Sequence, residues 1–276
     1  MTDLTAIVLT YNEENNLFEC LNSLKGLVKR ILVIDSFSTD KTKEIALSFG
    51  ADFYQHEFIN QAQQFDYALK NIEITTKWII RLDADERLTE ASKKEIEELC
   101  YLHENDDVNG LVLRFKLFFL GKYLKHGGTY PVKKMVVFKN GFAEIEQKNM
   151  DEHIVLLSGK SIICKKDCLH HDCKSITDWV AKHNKYADRE LIDYLSNEIK
   201  SHDKLDSSAK KRNKLKKGFY YKLPLGFRAW IYYIYRFYFR LGFLDGRPGK
   251  YYAFLQAYWY RFLVDIKIYE NNLKNK

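Results

Sequence analysis

The sequence predicts an α/β protein: a Rossmann-type, mainly parallel sheet flanked by helices, followed by a helical, aromatic-rich C-terminal extension. Three observations predict it. Apolar strand-like runs alternate with amphipathic segments through residues 4–103. Polar and acidic clusters recur at the carboxyl ends of those runs, where open parallel sheets gather ligands. Then the pattern changes, and from Phe219 to Phe243 twelve of 25 residues are aromatic.

The elements follow in order. LTAIVLTY, residues 4–11, is apolar and β-branched, as a strand covered on both faces should be. Asn12–Leu27 places Leu17, Cys20, Leu21 and Leu24 at helical spacing. RILVIDS (30–36) is a second strand and Ser38–Phe49 a second helix, with Ser38 or Thr39 placed to cap it. ADFYQHE is a short third strand, Asn60–Ile72 a third helix and Lys77–Leu82 a fourth strand. Thr89–His103 is amphipathic, with Ser92 and Glu95 fitting a capping box. This order implies right-handed crossovers and helices on both faces of the sheet. Beyond it, Val108–Phe119 and Lys133–Lys139 read as strands around a glycine-bearing turn, Ile162–Cys164 as a short one and Thr177–Ile199 as a helix. The chain from about Gly218 is expected to be helical. A catalytic domain over 1–165 and a helical region over 166–276 are the expected division.

Composition narrows the class. Of 276 residues, 46% are hydrophobic, with three prolines and thirteen glycines, which suits a globular core and not a fibrous or loop-dominated chain. The start, MTDLTAIVLTYNEE, has neither the basic nor the apolar region of a signal peptide. The five cysteines are therefore expected as free thiols in a reducing compartment. No uncharged apolar run is long enough to span a bilayer. The formal net charge is +7, and Lys204–Lys217 carries seven basic residues, which suits an anionic partner or a solvated loop.

The stretch KWIIRLDADERL ends a strand-like run in Asp83, Asp85 and Glu86. Like charges that close repel unless paired or shared with a cation. Asp-x-Asp is a compact holder for a hard ion such as Mg²⁺ or Mn²⁺, bridging to substrate phosphates. The two aspartates converge only if the chain turns after Ala84. An EF-hand loop is excluded, because its sixth position, where glycine is needed, would be Leu88. The plain alternative is an acidic helix start.

AIVLTYNEE, VIDSFSTDKT and IIRLDADE, in that order, resemble the glycosyltransferase family 2 proteins, which have a GT-A fold. The resemblance covers roughly residues 4–155. It implies that Thr10, Tyr11 and Glu13 or Glu14 contact the base and ribose of a nucleotide sugar. Asp35 would accept the uracil imide N–H, with Ser36 and Ser38 beside it. Asp83 would face the ribose and metal, and Asp85 would bind the cation bridging the donor phosphates. One segment departs from the family pattern: where arginine followed by asparagine is common, this chain has QFDYAL, with Phe65 and Asp66. Asp66 is kept with the nucleotide-sugar set, and basic residues elsewhere must replace the arginine.

An inverting transfer needs a carboxylate to take the acceptor hydroxyl's proton. NMDEHI (149–154) supplies Glu152, favoured as base, and Asp151 as its alternative, with His153 as a neighbour or simply part of a turn. Cys164, Cys168, His170, His171 and Cys173 invite a zinc reading, which the spacing disfavours. His171, or its neighbour His170, is the better candidate to complete the cation site or touch diphosphate. The segments VAKHNKYADRE and GFLDGRPGKYY resemble bacterial lipopolysaccharide-core glucosyltransferases of the same family. That implies a UDP-hexose donor and a lipid-linked acceptor.

In the aromatic tail Arg228, Arg236 and Arg240 interleave with the rings. An amphipathic helix lying in the headgroup plane of an anionic membrane accounts for the mixture, as does packing of the rings on protein. The expectation is therefore a metal-dependent, inverting glycosyltransferase with a UDP-sugar donor and a glycolipid acceptor. It would be cytoplasmic and peripheral on the inner face of the cell membrane, with no nucleic-acid partner and self-association left open. A sugar nucleotidyltransferase is disfavoured because TYNEEN lacks a Gly- and Lys-bearing phosphate loop. A non-catalytic membrane scaffold is the remaining alternative.

Overall fold

Seven consecutive buried residues, Leu4–Thr10, form β1. Such a strand needs a neighbour on each edge and a layer on each face. Parallel β2 (Arg30–Asp35) and, beyond it, β3 (Asp52–Gln55) lie on one edge, and parallel β4 (Trp78–Asp83) on the other. The crossovers are α1 (Leu17–Leu24), α2 (Thr42–Ser48) and α3 (Gln61–Asn71). The structure is a computed structural model and describes residues 1–146, 152–195 and 220–275. Asp151, the basic tract and Phe219 lie outside those residues.

After β4 the chain turns at Ala84–Asp85, forms β5 (Glu86–Arg87) and enters α4 (Glu90–Leu102). β6 (Val108–Phe119), β7 (Lys122–Tyr123), β8 (Val132–Lys139) and β11 (Lys160–His171) complete the sheet, and β9 (Ala143–Ile145) pairs with β10 (Ile154–Leu156) in a separate ribbon. The order is β3-β2-β1-β4-β8-β6-β11-β5, parallel from β3 to β4 and antiparallel where β8 meets β4 and β6. Alternate residues of β1 feed two cores. Leu4, Ala6 and Val8 pack with Leu17, Leu21 and Leu24 of α1, while Ile7 and Leu9 pack with Ala62, Phe65 and Ala68 of α3. That is the period-two signature of a strand between two helical layers.

The chain forms two compact units. The first comprises Met1–Lys116, Pro131–Gln147 and Glu152–Cys173; the second is built from Leu117–Tyr130 and the chain after Cys173. The first unit thus runs past residue 165, because β11 is one unbroken strand of 12 residues and not a short run at Ile162–Cys164.

In the second unit α5 (Ile176–Leu195) packs through Ala187 on Tyr260, Val264 and Ile268. α6 (Phe227–Ile234) opens into a π-helical segment, Tyr235–Phe239. α7 (Gly246–Tyr252) leads through π-helical Ala253–Trp259 into α8 (Tyr260–Lys274). The motif Asp245-Gly246-x-x-Gly249 has a packing reason. Asp245 is buried, accepts a hydrogen bond from His126 N at 2.8 Å and pairs with His126 Nδ1 at 2.7 Å. A Cβ on Gly249 would come within 2.4 Å of the Asp245 Cβ, so only glycine fits.

Three local expectations are corrected. Ser38 and Thr39 do not cap α2: Ser38 bonds Asp35, and it is Asp40 Oδ1 that accepts Thr42 N at 3.0 Å. The capping box of α4 is Thr89 with Ser92. Glu95 instead accepts the N–H groups of Lys165 and Lys166, both at 2.7 Å. Arg228 and Arg236 do not form a basic lipid-facing stripe. Arg228 is 1% exposed and ion-paired with Asp265, and Arg236 Nε donates to Gly127 O at 2.5 Å. Arg240 is exposed. Among the described residues no helix is long and apolar enough to cross a membrane.

Candidate active site

Register brings the polar strand ends level. Thr10 of β1 pairs with Asp35 of β2, and Leu9 pairs with Asp83 of β4. Parallel strands lie about 4.8 Å apart, so the three ends share one edge.

On the donor side, Asp35 is fully buried. Its Oδ1 accepts from Thr10 Oγ1 at 2.9 Å and Ser38 Oγ at 2.5 Å; its Oδ2 accepts from Ser38 N at 2.8 Å and Gln55 Nε2 at 3.4 Å. A carboxylate has about four acceptor positions. In this arrangement Asp35 ties the end of β1 to the loop at Ser38. Asn12, at φ 51°, donates its N–H to Ser38 Oγ and accepts Thr39 N, both at 2.8 Å. Phe37, at φ 58°, sits in the left-handed region, which is strained for a bulky side chain.

The two glutamates stitch the same loops. Glu13 N donates to Thr42 Oγ1 at 2.8 Å, and Glu13 Oε2 accepts Asn16 Nδ2 at 2.9 Å. Glu14 N donates to Asp40 Oδ2 at 3.0 Å, and Glu14 Oε2 accepts Lys41 N at 3.2 Å. Asp40 is held below the usual carboxylate range: burial works against its charge, but the hydrogen bonds from Thr42 and Glu14 outweigh it. Tyr11, next after β1, is 52% exposed. Ser36 is buried and its hydroxyl accepts Gln64 Nε2 at 3.0 Å. Asp66 lies on α3. It pairs with Lys70 at 2.6 Å in a cavity of about 450 Å³ beside α3, lined also by His56, Gln63 and Tyr67.

On the acidic side the chain turns at Ala84–Asp85. Asp83 Oδ2 lies 3.4 Å from Lys134 Nζ and its Oδ1 3.5 Å from Arg81 Nη2. Glu86, 1% exposed, accepts Asp83 N at 3.1 Å and Lys134 Nζ at 2.5 Å. Burial raises the Glu86 carboxyl above its ordinary range, with Lys134 opposing. Burial also works against the Lys134 charge, but Glu86 and Asp83 outweigh it and the ammonium titrates higher than usual. Asp85 is buried, with its Oδ2 3.5 Å from His170 Nε2. His170 pairs in register with Glu86, so its ring and that of His171 leave β11 on opposite faces. His171 meets Asp85 through the backbone, its N donating to Asp85 O at 2.8 Å. Burial, then Arg87, lowers the His171 imidazole's proton affinity. Cys164 and Cys168 are free thiols in the core, and Cys173 is exposed.

Glu152 and Arg81 form a further pair, Arg81 Nη2 to Glu152 Oε1 at 2.9 Å, with both side chains under a tenth exposed. His153 lies 3.3 Å from Glu146. Sequence reasoning missed Arg81 and Lys134 as partners of the acidic turn. The available signal was basic charge inside a largely apolar strand, Arg81 in WIIRLD and Lys134 in VKKMVVFK.

The donor set suits a divalent ion that shares its shell with substrate. Carboxylate and imidazole are present at Asp85 and the His170–His171 pair. Among the described residues no three His, Cys, Asp or Glu side chains gather tightly enough to hold an ion alone. Mg²⁺ and Mn²⁺ sites of this kind take one or two protein ligands and fill the rest with water and phosphate oxygens.

An acidic turn at the carboxyl edge of this mixed sheet places the protein in the GT-A class of glycosyltransferases. The chain belongs to glycosyltransferase family 2: the family model "Glycosyl transferase family 2" matches residues 5–173. The chain is 25% identical over 268 residues to the lipopolysaccharide core biosynthesis glycosyltransferase LpsC of Rhizobium meliloti, covering 92% of this chain and 90% of that one. An uncharacterized glycosyltransferase of Rickettsia felis is 26% identical over 203 residues, 70% of each chain. Among solved structures, the mannosyltransferase PcManGT of Pyrobaculum calidifontis, in complex with GDP-Man and Mn²⁺, aligns with TM-score 0.57 and 14% identity over 97% of this chain and 87% of that one. That likeness is one of fold. The chain is an enzyme of glycosyl transfer, and neither the nucleotidyltransferase nor the scaffold reading gains support.

Proposed function

We propose that the protein is an inverting, Mg²⁺- or Mn²⁺-dependent hexosyltransferase that uses a UDP-sugar and a lipid-linked saccharide acceptor. The observation that carries it is the level edge of β1, β2 and β4, where the Thr10–Asp35 pair stands beside the acidic turn. Tyr11 offers its ring to the base, and Thr10, Glu13, Glu14, Ser36 and Ser38 shape the loop that receives the nucleoside. Asp35 fixes that loop from beneath. Asp83 faces the ribose, and Asp85 with His171 or His170 is placed to hold the ion. The ion, when bound, offsets charge on the departing diphosphate.

Glu152, with Asp151 as the alternative outside the described residues, takes the proton of the acceptor hydroxyl. The acceptor oxygen bonds the sugar's anomeric carbon, the bond from that carbon to the phosphate oxygen breaks, and the nucleoside diphosphate leaves with the electron pair. The relationship to LpsC along nearly the whole chain supports an acceptor of the lipopolysaccharide-core kind. Phe239 at 76% exposed, Tyr238, Trp230 and Phe227 give the second unit an aromatic surface suited to the headgroup region of the inner membrane face. With Arg228 and Arg236 engaged internally, Arg240 and the Lys204–Lys217 tract would supply the attraction to anionic lipid.

The test is release of nucleotide from UDP-glucose, UDP-galactose, UDP-N-acetylglucosamine and GDP-mannose, with Mn²⁺ or with a chelator. Turnover of a UDP-sugar that needs the ion, and is abolished in Asp85→Ala without unfolding, is expected. Turnover at the wild-type rate in Asp85→Ala removes the role of that residue.

A further inference from the structure

Arg81 stands in the middle of β4, in a run otherwise fit only for burial, and its side chain is 9% exposed. A guanidinium does not shed its proton inside a protein, so it must be matched by carboxylates. It meets two. Nη2 lies 2.9 Å from Glu152 Oε1 and 3.5 Å from Asp83 Oδ1, and the guanidinium sits 5.4 Å over the Phe65 ring. Glu152 is itself buried to 7% exposed. A carboxylate so enclosed and left without a cation beside it would swing towards water, and that change takes the proton acceptor out of place.

We propose that Arg81 is a positioning residue for glycosyl transfer, holding Glu152 in place next to the acidic turn. The inference rests on the reading of Glu152 as the base. The contact with Arg81 is made by Oε1, which assigns the proton-accepting role to Oε2. Asp83 shares the same guanidinium, 3.5 Å from Nη2, and so helps fix where Arg81 holds Glu152. The flat ring of Phe65 gives the guanidinium a face to lie on and limits its swing.

A double-mutant cycle tests this. Arg81→Met, Glu152→Gln and the double variant are compared for turnover of whichever of the four sugar nucleotides named above the wild type uses with Mn²⁺. UDP affinity is measured by titration calorimetry. Arg81→Met is expected to lower kcat by about 50-fold or more while donor KM and UDP affinity stay within about threefold, the range of a lost general base being 10²–10⁴-fold. In the Glu152→Gln background Arg81→Met is expected to cost nothing further. Arg81→Lys, which keeps the charge, should recover most of kcat. Losses that multiply in the double variant, or a loss confined to KM, overturn the inference while leaving Glu152 as base. Wild-type turnover in Glu152→Gln, or no turnover of any donor by the wild type, overturns the underlying reading instead. If Arg81→Met does not fold, the same cycle is run with Arg81→Lys, whose smaller loss must likewise vanish in Glu152→Gln.

Discussion

Asp35 offers the sharpest test of how the donor edge is built. Two functions compete for its carboxylate: anchoring the loop, and meeting a nucleobase. The structure favours the anchor, since the residue is fully buried and its two oxygens take four donors. Asp35→Asn keeps the shape. Its amide oxygen can face Ser38 N, and its NH₂ can face the hydroxyls of Thr10 and Ser38, which turn to accept. Only charge assistance is lost, about 1–2 kcal/mol. Asp35→Ala removes every acceptor and strands the Ser38 N–H and both hydroxyls, for about 3–5 kcal/mol in all. At about 2–4 °C per kcal/mol for a unit of this size, melting should fall by about 2–8 °C in Asn and about 6–20 °C in Ala. The functional readout is UDP affinity in Asp35→Asn by titration calorimetry with Mn²⁺. An anchor predicts a change within about threefold. A direct charge-assisted bond to the base, worth about 1.5–3 kcal/mol, predicts a loss of about 10- to 150-fold. A loss of that size with only the modest melting shift would refute the anchor.

Two further perturbations follow from the same contacts. The Glu86 carboxyl titrates above its usual 4.5 when folded, so the folded state holds a proton that the unfolded state has released, and this contribution to stability falls as pH rises through that window. Glu86→Gln should lose that fall, visible as a flatter urea midpoint from acid to neutral pH. In the second unit, Asp265→Asn leaves Arg228 buried with its partner weakened and the Gly226 N–H contact at 2.7 Å at risk. It should cost about 3–5 kcal/mol, lowering that unit's melting by about 10 °C or more in calorimetry, without changing UDP binding.

The parallel half of the fold was legible because its signals are local. β1, β2 and β4 are apolar runs bounded by turn residues, and their helices carry apolar residues at helical spacing. The antiparallel half was less so. β11 reads KSIICKKDCLHH, where lysines break the apolar run. Its strand character comes from neighbours distant in sequence, β6 and β5, and from the grip of Glu95 on Lys165 N and Lys166 N. Helix caps were misassigned for a related reason. Ser38 has the chemistry of a cap, but Asp35 competes for it and wins, because a buried carboxylate must be satisfied before an exposed helix end.

The same competition explains what was hidden at the site. Carboxylates can be read from a sequence as candidates, whereas the cations that make their burial tolerable cannot, because a basic residue in a strand is assumed to face water. Arg81 and Lys134 do the opposite. They stand on neighbouring strands β4 and β8 and divide the acidic turn between them, Arg81 taking Glu152 and Asp83, Lys134 taking Glu86 and Asp83. Asp83 is the residue common to both. The tail arginines follow the same logic: Arg228 looked like a lipid-facing charge only while Asp265, 37 positions away, was unseen. Charge pairing across sequence distance therefore decides which polar residues of this chain shape a site and which meet solvent. At the acidic edge it sets Asp85 Oδ2 3.5 Å from His170 Nε2, a contact that is an ion pair only when the imidazole is protonated.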